Sequence, residues 1–240
     1  MRVARAVPCP ASLDRRARTL GRSRNSALHP ERVNALTHAL GLVLAVIGAL
    51  VMASVLVSLD DTRLTAGCAV YLASLIAVYA MSTLSHSASS PRWKSLFRRL
   101  DQGFIYLLIV ATYTPLSLVY LRGTFWSTVL ILMWAVALTG FVAKVFFAHR
   151  TDAVSVASYL VLGWMPALGV PELVRAVPAA ALWTMLAGGL CYTVGTLFLT
   201  YDERVRHFHA VWHLCVIAGS ACHFAGILLF VLGGAGAGMQ

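Results

Sequence analysis

Charge is scarce in this sequence. Of its 240 residues only 12% are Asp, Glu, Lys or Arg, where an ordinary soluble domain carries about 25%, and just nine are acidic. Lysine is nearly absent: Lys94 and Lys144 are the only two. The five cysteines (Cys9, Cys68, Cys191, Cys215, Cys222) show no CxxC spacing, and four lie inside apolar runs, so no disulfide framework is expected. Such poverty of charge excludes an ordinary cytosolic enzyme, an intrinsically disordered chain and a free nucleic-acid binder. What is abundant is apolar sequence, 59% of the chain, enough for several membrane spans.

The net charge of +10 does not point to nucleic acid, because of where it sits. Eight basic residues precede Asn34 (Arg2, Arg5, Arg15, Arg16, Arg18, Arg22, Arg24 and Arg32), among prolines and serines and without an apolar period. Residues 1–33 therefore read as a solvated cytoplasmic tail and residues 34–240 as one membrane domain. A secretory signal is not expected, since the first apolar run begins only near Leu36 and is about twice as long as a signal core.

Seven stretches are long enough to cross a bilayer as helices: Leu36–Leu59, Leu64–His86, Gly103–Leu121, Phe125–Phe147, Val154–Val170, Ala179–Thr200 and Phe208–Leu232. The breaks between them carry the charges. Pro115 and Pro166 are expected to kink the third and fifth spans. Trp126 and Trp183 suit an aromatic belt. The tail and the 2–3, 4–5 and 6–7 connections hold eight, four, two and two basic residues, against only Arg63, Arg122 and Arg175 on the other side. The expected fold is therefore an all-α seven-transmembrane helix bundle, with the N-terminus cytoplasmic and the C-terminus outside. That direction excludes G-protein-coupled receptors. The lack of a lysine in the last span excludes a retinal protein.

Ionisable groups inside spans are costly and point to function. On this topology His86, Asp101, His209 and His213 all fall at the cytoplasmic depth. His209 and His213 stand four apart, on one helical face about 6 Å along the axis, the spacing with which helices bind zinc. With His86 they supply three imidazoles and leave a fourth position open; the alternative is that they cap helix ends. Asp101 reads either as a proton acceptor beside a metal site or as a carboxylate facing the dipole of the third helix. Ser82, one turn before His86, either reaches the same cavity or bonds back to its own helix. His38 is a candidate for a supporting place behind the ligands, or else a polar residue of the interface. His223 lies about 15 Å deeper than His213 and reads as a packing histidine, while His29, His149 and His207 read as solvated.

Asn34-Ala-Leu-Thr-His38-Ala-Leu-Gly41, Ser82-Thr-Leu-Ser-His86-Ser87, Arg99-Leu-Asp101, Ala111-Thr-Tyr-Thr-Pro115, Tyr192-Thr-Val-Gly195 and His209-Ala-Val-Trp-His213 together resemble the hemolysin III family, the bacterial branch of the progestin and adipoQ receptor superfamily. The resemblance runs from about Glu31 to Leu232. It implies zinc on His86, His209 and His213, a water-holding role for Asp101, and a motif serine at Ser82. It also implies a bacterial inner-membrane location. Animal members look like ceramidases. Many relatives have an aromatic where Ser85 precedes His86, a departure expected to alter packing and not ligation.

Three functions follow as expectations. The first is a zinc-dependent hydrolase of a lipid amide or ester. The second is a membrane-lipid homeostasis or sensor protein with structural zinc. The third, a pore-forming cytolysin, lacks a polar helix face to line a channel. Membrane lipids are the expected partners, and nucleic acid is not.

Overall fold

A computed structural model describes residues 29–59, 61–151 and 155–233. The bulk of the tail expected over residues 1–33 lies outside them. The described residues form helices without strands. In chain order these are α1 (Pro30–Leu56), α2 (Thr62–Ser87), α3 (Pro91–Tyr120), α4 (Thr124–Thr151), α5 (Ser155–Trp164), a 3₁₀ turn (Met165–Gly169), α6 (Val170–Ala176), α7 (Ala179–Thr200) and α8 (Phe208–Gly226), which runs on into a π-helical turn (Ile227–Leu232). Seven helical segments are long and apolar enough to cross a membrane, with α5 and α6 together making the fifth. This is the expected seven-span bundle.

Helix starts follow from local chemistry. Pro30 and Pro91 occupy first turns, where a missing N–H costs nothing, and Asp61 Oδ1 caps α2 by accepting from the amides of Arg63 and Leu64 at 3.0 Å. α1 and α3 therefore begin well before the apolar runs at Leu36 and Gly103, because hydropathy marks the membrane and not the helix. The helix passes unbroken through Pro115. Pro166 breaks the fifth span into two short helices, and the non-helical residue of α4 is Phe147. Trp126 departs from the belt expectation. It is buried, packed where Gly169 leaves room for its ring, whereas Trp183 is exposed.

α3 is the most buried span and packs between α2 and α4, while α8 lies along α7 and meets α1 to close the bundle. Apolar side chains of α1, such as Leu36, Leu40 and Ile47, face outward, as lipid-facing residues do. At the α7–α8 crossing a Cβ on Gly219 would lie 3.0 Å from the carbonyl of Gly188, so glycine is what lets the two backbones approach. Beside it, Ser220 Oγ accepts from Tyr79 Oη at 2.9 Å and pairs with Tyr192 Oη at 2.8 Å, tying α8 to both α2 and α7.

Candidate metal centre

His86 near the end of α2 and His209 and His213 at the start of α8 come together. One ring nitrogen from each lies within 4.8 Å of the other two. The ring centroids stand 4.6 to 5.2 Å apart and the planes are mutually steep, at 66° to 72°. Edge-on convergence of this kind suits ligands sharing a centre. A tetrahedral site with metal–nitrogen bonds of about 2.0–2.1 Å asks for nitrogens about 3.4 Å apart, and the three here lie within 4.8 Å of one another.

The far side of each ring is already committed. His86 Nδ1 lies 3.0 Å from Glu31 Oε2, and His209 Nδ1 lies 2.6 Å from Asp202 Oδ2. His213 Nδ1 faces the carbonyl of Asn34 at 3.1 Å and Thr37 Oγ1 at 3.0 Å. Carboxylates and carbonyls only accept, so each Nδ1 carries the hydrogen and each Nε2 keeps a lone pair for a metal. Glu31 also holds Lys94 Nζ at 2.9 Å, so one carboxylate joins the starts of α1 and α3 to the end of α2. The donor set fits a divalent metal. Three imidazoles suit zinc, copper, iron or nickel alike.

Other sequence candidates fall around this centre. Asp101 lines the same cavity as the three histidines. Ser82 is 1% exposed, lies beside Asp101, and its hydroxyl bonds back to no carbonyl. Ser85 donates to the carbonyl of Ser82 at 2.9 Å. His38 is 3% exposed and stacks on His213 with centroids 3.5 Å apart, and neither of its nitrogens has a hydrogen-bond partner. His223 packs against Tyr192 and meets the Met185 carbonyl through Nε2 at 3.1 Å. His207, expected to be solvated, is half-buried at φ 70°, where the chain turns into α8. His29 is the exposed residue just before α1, and the side chain of His149 lies outside the described residues.

Glu31, Asp202, Asn34 and Thr37 belong to the site as well, though no motif spacing singles them out. A signal for two of them was available. With only nine acidic residues in the chain, any carboxylate at the histidine end was a candidate to hold an imidazole.

From the histidines a cavity of about 1150 Å³ extends between α3, α5, α6 and α7. Its rim carries Arg98, Glu203 and Arg206, and its interior is apolar, with Ile105, Leu160 and Leu182 among its walls.

The chain has relatives among known proteins. The family model of haemolysin-III-related proteins matches residues 26–224. Hemolysin-3 of Bacillus cereus is 37% identical over 203 residues, covering 84% of this chain and 92% of the relative. The Hemolysin-3 homolog of Bacillus subtilis (strain 168) is 32% identical over 200 residues, covering 83% and 93%. The human monocyte to macrophage differentiation factor is 29% identical over 205 residues, covering 81% of each chain.

Proposed function

We propose, from the premise that this chain belongs to the haemolysin-III-related family of multi-pass membrane proteins, that it is a zinc-dependent hydrolase of lipid amide or ester bonds, working in a bacterial inner membrane with its histidine end toward the cytoplasm. One observation carries the reading. Three imidazoles with their Nδ1 atoms already engaged meet at one end of a large apolar cavity, beside an aspartate that is not among them. The cavity suits an acyl chain, and the polar end receives the bond to be cut.

His86, His209 and His213 would hold the zinc ion, which when bound would supply Lewis acidity toward a carbonyl and make water a better nucleophile at neutral pH. Asp101 takes a proton from the attacking water on a carboxylate oxygen and returns it to the leaving amine or alcohol as the carbon–heteroatom bond breaks. The Ser82 hydroxyl, buried beside Asp101, donates to the oxygen that gains charge during the attack. Glu31 and Asp202 hold two of the rings in orientation, and the apolar walls exclude bulk water from the acyl chain.

Metal analysis and turnover together test this. Purified protein is expected to hold about one zinc per chain, and to release fatty acid from a panel of lipid amides and esters in detergent only when loaded. Asp101→Ala is expected to keep the zinc and lose the turnover. Zinc without turnover on any lipid of the panel would reject the hydrolase. That result would favour the second reading, a structural clamp in a homeostasis or sensor protein. A specific feature speaks for that reading: α2 and α8 pack little against one another, so a shared metal would cross-link helices that otherwise meet at few places.

A further inference from the structure

Four basic residues crowd the start of α3, and their contacts separate them. Lys94 is held by Glu31. Arg99 turns toward α4, donating from its guanidinium to the Val145 carbonyl at 3.3 Å. Arg92 is exposed and lies away from the cavity. Of the four, only Arg98 lines the cavity, at its exposed rim and in company with His86 and Asp101.

Arg98 stands three residues before Asp101, one turn nearer the helix start on the same face. The carboxylates around it are engaged elsewhere or too far for a bond. Glu31 serves His86 and Lys94, and Asp202 serves His209. Asp101 is within electrostatic reach of Arg98, but among the described residues neither it nor Glu203 forms an ion pair with the guanidinium. A planar fork of donors is thus presented at the entrance of an apolar chamber, one turn outward from the residue assigned to proton transfer. A guanidinium matches the oxygens of a phosphate or carboxylate bidentately, and the apolar interior excludes such a charge.

We propose that Arg98 selects the substrate by binding an anionic headgroup, a phosphate or carboxylate, on an amphiphile whose acyl chain fills the cavity and whose carbonyl reaches the histidines. This rests on the hydrolase reading for the carbonyl, but the headgroup contact itself needs neither metal nor turnover. The substrate class becomes acyl lipids with an acidic head, in preference to neutral ones of equal chain length.

Binding can be read directly, because Trp164, Trp183 and Trp212 line the cavity. Quenching of their fluorescence by spin-labelled acyl lipids is measured with the purified full-length chain in a non-ionic detergent, with and without chelator. Two lipids are compared that share one chain and differ only in a phosphate or a hydroxyl head. The wild type is expected to bind the phosphate lipid about tenfold more tightly, the scale of one good charge-assisted contact. Arg98→Gln should abolish that preference while leaving the neutral lipid's affinity unchanged, and Arg98→Lys and Arg92→Gln should largely retain it. Equal binding of the two lipids by the wild type, or a preference surviving in Arg98→Gln, would overturn the proposal. So would loss of the preference in low-millimolar inorganic phosphate, since the site would then serve a free anion. Absence of hydrolysis in the other experiment leaves this result standing.

Discussion

The two ends of the cavity are built in opposite ways. At the histidine end the three candidate ligands are each held by a bond: Glu31 bridges His86 and Lys94, Asp202 grips His209, and Thr37 and the Asn34 carbonyl hold His213. At the other end α5 and α6 are short, interrupted at Pro166, and only lightly packed against α7, so the chamber between them stays open. The contrast separates two tasks that the proposed hydrolase would combine. Geometry for chemistry needs rings held in place by bonds, whereas room for an acyl chain needs loosely opposed apolar walls.

Replacements at the ordered end should have the largest effect. His213→Ala is expected to lower bound metal from about one per chain to background by elemental analysis, since two remaining imidazoles seldom retain zinc. Asp101→Asn should spare the metal and reduce turnover by about 10²- to 10⁴-fold, the range for a positioned proton carrier. If it strips the metal instead, the aspartate belongs among the ligands. Glu31→Gln and Asp202→Asn should each weaken metal affinity by about 10- to 100-fold in a chelator competition, because each orients a ligand it does not replace. A smaller, purely steric effect is expected at the open end. A Cβ built at Gly189, which lines the cavity, meets nothing within 4 Å. Gly189→Leu should therefore fold normally, keep its metal and shorten the preferred acyl chain by a few carbons in a chain-length series. If metal content fell as well, the two ends would not be independent.

The spans were legible because an apolar run of membrane length has few alternatives, and α7 begins and ends where hydropathy placed it. The three histidines were legible because a four-residue spacing and a shared depth survive any detail of packing. Their supports were not. Glu31 lies ahead of the first apolar run and Asp202 in a connection, so each read as a boundary, whereas their bonds to His86 and His209 depend on tertiary packing. The burial of Trp126 was hidden for a similar reason: its partner, Gly169, belongs to an irregular turn that no periodicity marks. The stacking of His38 on His213 depends on how α1 crosses α8, a long-range contact that local sequence does not encode.

Ser220 lies seven residues past His213, two turns deeper on the same face of α8. With Tyr79 on one side of its hydroxyl and Tyr192 on the other, in surroundings without bulk water to take their place, α8 cannot swivel without surrendering both bonds at once. The angular setting of the two imidazoles on this helix is thus pegged from below, like a dial held by a pin, and a change as slight as removing one oxygen at position 220 would take away both of those bonds.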